Sequence, residues 1–423
     1  TPCGASAEVC CALGTATEGC NSNLTCVSGT CTCGAVNQAC CNGTTCTNGL
    51  QCVNGTCSCG GAGQNCCAGK ICNGGLVCGG LRCGCATACD TSAVMKNDGS
   101  IFLSSTPITN LDDTLFKATS FSYNGTFGCG VKADGTVWCW GYNSYGALGL
   151  GDTTVTSSTP PVQVVTAQGG PGLAGATAVS VSDTGYTACA LAGTTGAVWC
   201  WGYGAYGQLG NGYKNNSSFA TPVLKDTTAA QFTGAASISV AYEHACTYNT
   251  DMTVWCWGDN TYGQIGNGST AASALYPSKV ANLQTMALNV VASDEPYANS
   301  CAATMDGSAY CWGANSYDSL GNGLMSGMSI VPSQVLTAAA TPLANVTRVI
   351  NWMSGYKLCA QRMDLSVWCW GGGSVAGEFA TPLVDSQSNP VTGETVIGRE
   401  CYLDANDKLW YATSMSGNQV TCP

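Results

Sequence analysis

The pentapeptide VWCWG occupies residues 137–141 and returns at Val198, Val254 and Val367, with AYCWG in its place at Ala309. Repetition on this scale makes one supersecondary unit, copied along the chain, the basis of the fold. Each copy follows another cysteine by ten or eleven residues, as in CGVKADGTVWC, CALAGTTGAVWC, CTYNTDMTVWC, CAATMDGSAYC and CAQRMDLSVWC. Val, Trp and Tyr alternate there with small or polar residues around a turn, which is the pattern of a β-hairpin. In the first copy a three-residue loop, Ala133, Asp134 and Gly135, with Gly135 in the left-handed region, sets Cys129 opposite Cys139. Cβ atoms so opposed lie about 4.5 to 5.5 Å apart, within reach of a disulfide. The same register pairs Cys189 with Cys200, Cys246 with Cys256, Cys301 with Cys311, and Cys359 with Cys369.

Behind each hairpin comes a second repeated stretch: GYNSYGALGLGD, GYGAYGQLGNG, GDNTYGQIGNG and GANSYDSLGNG, beginning at Gly141, Gly202, Gly258 and Gly313. Hairpin and turn together resemble the RCC1 (regulator of chromosome condensation) repeat. WCWGGGSVAGEF from Trp368 is a worn fifth copy, and AVMKNDGSIFL from Ala93 and CYLDANDKLWY from Cys401 match the hairpin alone. The resemblance implies an all-β, seven-bladed RCC1-like β-propeller over residues 91–423. Linkers such as TPPVQVV, TPVLKD and YPSKV then supply outer strands, where Pro160, Pro222, Pro277 and Pro332 fit a sheet edge. LQTMALNVV after Asn282 is the one modest helical candidate. In the last hairpin Cys401 faces Tyr411, leaving Cys422 as its expected partner.

Residues 1–90 hold 20 of the 32 cysteines and few large apolar side chains, so disulfides replace a core there. The spacing C-x6-CC-x4-C-x5-C-x4-C repeats three times, the first copy lengthened by four residues. It predicts cysteine-rich modules at 1–32, 33–58 and 59–90, the last including a junction with Cys85 and Cys89. They are similar to the small knotted or EGF-like modules of extracellular proteins. Six cysteines allow fifteen pairings, among which sequence does not choose. Structural zinc sites favour C-x2-C pairs, commonly with His, and this segment has neither.

Paired cysteines at this density persist in secreted and surface proteins. Eight sequons agree with that setting: Asn23, Asn42, Asn54, Asn124, Asn215, Asn216, Asn267 and Asn345. Covalent N-glycans on them would solvate a surface in which only 9 % of residues are charged. A start at Thr1, without Met or an apolar leader, fits a processed chain or part of a longer one.

A net charge of −11 with 13 scattered Lys and Arg offers no basic stripe for nucleic acid. No run of about 18 apolar residues predicts membrane insertion. GYGAYG from Gly202 fits the dinucleotide fingerprint only in letters, because its equivalents GYNSYG and GDNTYG mark it as the repeat turn. His244, the one histidine, is expected to pack, and Asp134, Asp251, Asp306 and Asp364 to form hairpin turns. Asp112 with Asp113 and Asp294 with Glu295 are the nearest carboxylate pairs, but neighbours on a strand face opposite ways. The tryptophans invite a sugar-stacking reading, against which stands packing between blades. The G-W-R-H-T context of the family's ultraviolet receptors is missing. Nucleotide exchange on a small GTPase and nucleosome binding, two nuclear activities of the family, sit poorly with the acidic charge and the cysteines.

These features predict a secreted, glycosylated, non-enzymatic structural protein, a subunit of an extracellular filament or cell-surface assembly. Its expected partners are other copies of itself or matrix and cell-surface proteins, with no cofactor, metal or nucleic acid. The alternative is a carbohydrate- or protein-binding recognition module.

Overall fold

A computed structural model describes residues 93–383, apart from residues 96–98, 104–105, 272, 284, 294–297, 353–356 and 373–378, together with the backbone of short strands on either side. By compactness the chain divides into two units. One is built on Thr1–Thr87 with Leu403–Leu409 and Val420–Cys422, the other on Ala88–Tyr402 with Trp410–Gln419 and Pro423. The first contains three short hairpins that pair Cys26 with Cys31, Cys52 with Cys57 and Cys78 with Cys83 in register. Each sets the fifth cysteine of a sequence unit opposite its sixth. The pairing of sulfurs in residues 1–90, Asn23, Asn42 and Asn54, and the side chains of Cys401 and Cys422 lie outside the described residues, as do Asp294 and Glu295.

The rest of the described chain is all-β. Seven four-stranded sheets follow one another, here numbered sheet 1 (residues 88–107), sheet 2 (120–163), sheet 3 (176–222), sheet 4 (239–279), sheet 5 (287–334), sheet 6 (346–382) and sheet 7 (395–419). Strands within each are adjacent in sequence order. Cys89 lies on the first strand of sheet 1, paired with Val94, rather than in a junction loop. The helical candidate after Asn282 is instead the strand Ala287–Ser293. A bulge between Ala287 and Asn289 shifts its phase and disguises the alternation of a strand. Pro160, Pro222, Pro277 and Pro332 all fall on fourth strands, which have a free edge and need no ladder donor there.

The repeated pentapeptide is the third strand of a sheet, and each of its residues has a separate task. The leading Val is buried, and the first Trp is half-buried. The Cys is bonded across the hairpin: Cys129–Cys139, Cys189–Cys200, Cys246–Cys256, Cys301–Cys311 and Cys359–Cys369 are disulfides with Cα atoms 4.0 to 4.1 Å apart. The register shifts next to that Cys in sheets 2 to 5, so the second Trp sits at a β-bulge that turns it out of its own sheet. The closing Gly has φ of 91 to 107° in these four sheets, and a Cβ there would collide with the second strand's approach.

The second Trp reaches back to the sheet before it. Trp201 Nε1 donates to the Ala147 carbonyl (2.9 Å), Trp257 to Gln208 (2.8 Å), Trp312 to Gln264 (2.9 Å) and Trp370 to Ser319 (3.1 Å). Each acceptor is the residue before the Leu or Ile of the preceding G-x-L-G turn or its variant. The glycine that ends the turn lies flat under the same indole. A Cβ on Gly210 would come within 2.9 Å of Trp257, and one on Gly266 within 2.6 Å of Trp312. Trp140 breaks the series. Sheet 1 has no such turn, and among the described residues Trp140 Nε1 has no hydrogen-bond partner; its ring meets Phe116 edge-on at 5.6 Å.

First strands are tied by serines. Ser122 Oγ accepts from the Val181 N–H (3.2 Å), Ser180 Oγ from Val240 (3.2 Å) and Ser239 Oγ from Ala292 (2.9 Å). Each bond satisfies an N–H that a first-strand edge would leave unpaired. Asn289 continues the series against Val349, donating to its carbonyl and accepting from its N–H. Sheets far apart in sequence also meet, since Asn351 of sheet 6 donates to the Asp183 carboxylate beside the first strand of sheet 3. Apolar clusters fill the spaces between consecutive sheets; one of them joins Leu191, Val198 and Cys200 of sheet 3, with Leu209 and Val223 from its loops, to Val240, Ala245 and Trp257 of sheet 4.

Trp257→Phe is expected to keep the fold and cost about 1 to 3 kcal/mol, because the Gln208 carbonyl loses a buried donor. Thermal melting checks this, with Trp255→Phe, at a half-buried position, falling less. Converting Cys246 and Cys256 together to Ala should lower the melting temperature without unfolding the protein, the short loop they close contributing about 3 kcal/mol or less.

Candidate interaction surface

Loops that leave the third strands of sheets 2 and 3 carry tyrosines, and so do the loops between first and second strands of sheets 3 and 4. Tyr145 lies in a short 3-10 turn, itself at φ 58°, a conformation that swings its ring outward and leaves it 50 % exposed. Tyr186 directly precedes the second strand of sheet 3, and Tyr203 directly follows the third. Tyr206 occupies the position in sheet 3 that Tyr145 has in sheet 2, and Tyr242 stands beside the second strand of sheet 4.

These rings touch in series. Tyr145 is 4.7 Å from Tyr203 and 5.8 Å from Tyr186 between centroids, and Tyr203 stacks on Tyr242 at 5.6 Å with planes 15° apart. Tyr206 closes the group at 5.9 Å from Tyr203 and 6.0 Å from Tyr242. Gly185 is required at this seam, for any Cβ there would run into the Tyr242 ring. The row ends at sheet 4, where the counterpart of Tyr203 is Asp259, buried and holding Thr261 and Gln264. Tyr262 and Tyr317 extend the pattern as exposed rings.

Glu243 lies beside the rings, half-buried, and accepts a hydrogen bond from the Tyr206 hydroxyl. Burial raises its carboxyl above the ordinary range, the like charge of Asp259 adds to this, and the Tyr206 bond opposes it. Burial also pushes the Tyr242 hydroxyl up to about 12, with Tyr203 and Tyr206 contributing. The surface presents phenol rings, their hydroxyls and the Glu243 carboxyl group. Aromatic faces with hydroxyl tips are suited to binding.

The residues singled out in the sequence lie elsewhere. The half-buried first tryptophans bond to their own turns, as Trp138 does to Thr136 Oγ1 and Trp255 to Thr253 Oγ1, both at 2.8 Å. With the second tryptophans sealed between sheets, no sugar-stacking platform of indoles forms among the described residues. Asp134, Asp251, Asp306 and Asp364 each accept a backbone N–H two residues on, and their carboxyls are lowered. For Asp134, Asp251 and Asp364 the largest cause is the Thr or Ser hydroxyl of the turn; at Asp306 burial, which opposes, is the largest contribution, and the hydrogen bonds prevail. Asp112 makes the same turn with Thr114 and is exposed. GYGAYG is a turn between strands. Among the described residues no group of three His, Cys, Asp or Glu could hold a metal.

The sequons divide by geometry. Asn215, Asn216 and Asn345 are exposed, and Asn267 is half-buried with its Nδ2 on Ser278 Oγ. Asn124 corrects the sequence expectation. It is buried, and its Nδ2 donates to the Ser182 and Gly185 backbone carbonyls (both 2.9 Å), spending both hydrogens and leaving no room for a glycan in the folded chain.

His244 is fully buried between sheets 4 and 5. Ser300 Oγ gives its hydrogen to the Gln264 carbonyl (3.0 Å), so His244 Nε2–H must donate to Ser300 Oγ (2.9 Å). Burial depresses its pKa to about 4, from an ordinary value near 6.5. Because the folded value lies below the unfolded one, its contribution to stability is present above about pH 6.5 and is lost as pH falls toward 4. The expected loss is on the order of 3 kcal/mol. Urea unfolding of the wild type and of His244→Asn at a series of pH values checks this; the difference between them should change across that window and level off below it.

A family model described as the regulator of chromosome condensation (RCC1) repeat matches residues 134–189, 195–247 and 253–294, and a second RCC1 repeat model matches 118–147 and 235–264. Within residues 118–294 the sequence is thus similar to RCC1 repeats. It is 33 % identical over 226 residues to the human E3 ubiquitin-protein ligase HERC2, covering 52 % of this chain and 4 % of that protein. With the ultraviolet-B receptor UVR8 of Arabidopsis thaliana it shares 26 % over 193 residues, 46 % of this chain and 40 % of the receptor. The chain thus spans a small part of the length of the HERC2 relatives. Among solved structures, human WBSCR16 is similar with a TM-score of 0.53 at 19 % identity, over 66 % of this chain and 71 % of that one. Prp20p of Saccharomyces cerevisiae, studied for its binding to Gsp1p and histones, has a TM-score of 0.52 at 16 % identity, over 68 % and 74 %. These two likenesses, with the repeated four-stranded sheets, support a β-propeller fold.

Proposed function

We propose that this chain is a secreted, non-enzymatic interaction protein: a closed, seven-bladed RCC1-like propeller, stapled hairpin by hairpin, carried with cysteine-rich modules into an extracellular or cell-surface assembly. The observation that carries the reading is the placing of the disulfides. All five described bridges occupy one position of the repeat, opposite one another across the same hairpin and buried. A repeat that keeps oxidised pairs in its core is suited to an oxidising compartment and poorly suited to the reducing cytosol. Exposed Asn215, Asn216 and Asn345 are the sites at which N-glycans would add solvation.

Two forms of interaction protein fit this frame, a filament subunit that binds its own copies or matrix proteins, and a module that recognises a separate partner. The tyrosine surface of sheets 2 to 4 favours recognition, because it is one local patch with a carboxylate at its side. A filament also needs a complementary second patch.

Mass spectrometry of the native protein, digested without reduction, is expected to recover the Cys129–Cys139 and Cys246–Cys256 peptides linked, with glycan on Asn345 or the Asn215–Asn216 pair and none on Asn124. Free thiols at the hairpin positions would overturn the extracellular reading. Sedimentation of the full chain at rising concentration is expected to give one monomeric boundary; fibres would return the filament reading to first place.

A further inference from the structure

The tyrosine row has a length, a polarity and a charge at one side, and together these restrict what can lie on it. Its rings run from Tyr145 through Tyr203 to Tyr242 without a gap, crossing three consecutive sheets. A surface of this kind suits an extended chain more than a compact one. Tyrosine offers a flat apolar face and a hydroxyl donor, and a polyproline II segment offers the matching pair: apolar pyrrolidine rings, and backbone carbonyls that no internal hydrogen bond occupies. Such segments dock on aromatic-lined grooves because their conformational entropy is already low.

Charge identifies the rest of the ligand. Glu243 is half-buried next to Tyr206 and Tyr242, and the groups acting on it are a like charge, Asp259, and the neutral Tyr206 hydroxyl. An incoming cation would offset both the cost of the buried charge and the repulsion. Arginine suits this place better than lysine, since a planar guanidinium can stack on a phenol face while it bonds the carboxylate in parallel. A neutral glycan would cover the rings but leave that carboxylate without a counter-charge. We propose that the tyrosine surface of sheets 2 to 4 binds an extended, proline-containing segment of a partner protein, with an arginine of that segment seated against Glu243. The proposal rests on reading the chain as an interaction protein, which the disulfide and sedimentation measurements decide separately.

The test uses the full oxidised chain and two fluorescein-labelled peptides, Ala-Arg-Ala-Leu-Pro-Pro-Leu-Pro and the same sequence with Gln for Arg, followed by anisotropy at low salt. The arginine peptide should bind at least about tenfold more tightly than the glutamine peptide, a difference of one ion pair in a partly desolvated place. Glu243→Gln, nearly isosteric, should bring the two peptides level. Tyr145→Ala, at a half-exposed ring, should weaken both several-fold; circular dichroism and thermal melting establish that each variant is folded. Equal affinity for the two peptides, an unchanged preference in folded Glu243→Gln, or no binding of either peptide to wild type would overturn the proposal. Binding of a neutral oligosaccharide that Tyr145→Ala abolishes, with no peptide bound, would overturn it in favour of a glycan and leave the interaction-protein reading standing.

Discussion

A single hydrogen bond, from the indole N–H of one sheet to a turn carbonyl of the sheet before it, governs how this repeat assembles. The bond is neutral and modest by itself, but it is made where water is excluded, so the cost of losing it exceeds the gain of making it. Its geometry fixes three other features. The indole must leave its own sheet, which requires the bulge; the chain must then turn sharply, which requires glycine; and the receiving turn must present a bare backbone, which requires a second glycine. W-G in one repeat and L-G in the preceding one are therefore two halves of a single contact, written some fifty residues apart. The first-strand serines do the same service at the other end of each sheet, satisfying edge N–H groups that would otherwise invite foreign strands.

The disulfides play a different part. They lie within hairpins and join residues already opposed in the ladder, so they hold each hairpin together and leave the joining of sheets to tryptophan, serine and apolar packing. In a chain with only 9 % charged residues, where surface ion pairs contribute little, that division is sensible. Arg362 with Asp364, the described ion pair, sits at a hairpin tip and ties one turn to itself.

Much of this was legible in the sequence, because repetition turns weak local signals into strong ones. The hairpin register followed from cysteine spacing, and the Asp turns followed from the recurrence of Asp134, Asp251, Asp306 and Asp364 at one hairpin position. The interior position of the second tryptophan was legible as packing, but its acceptor was not: nothing local links Trp257 to Gln208 until the sheets are set side by side. Asn124 was misjudged because a sequon describes chemistry and says nothing of burial. The tyrosines were in view as letters of GYNSYG and GYGAYG, yet their role was hidden, since Tyr145, Tyr203 and Tyr242 belong to three sheets and meet only through tertiary structure. Tyrosine occurs at both variable positions of GYNSYG and GYGAYG, whereas GDNTYG and GANSYD keep only the second. That difference was the available signal.

Trp140 gives the succession of sheets a weak joint. Every later boundary from sheet 2 to sheet 6 has its indole donor satisfied, whereas between sheets 1 and 2 the donor is buried without a described acceptor and the contact relies on Phe116 and neighbouring apolar groups. Stacked repeats communicate mainly with their neighbours, so cooperativity passes along the series only as well as its poorest interface allows. Among the described boundaries, that between sheets 1 and 2 would then part first, while sheets 2 to 6 persist together, and amide exchange would be faster along that seam than between the later sheets. A propeller held in this way has a built-in place to come apart, set by the absence of one short turn.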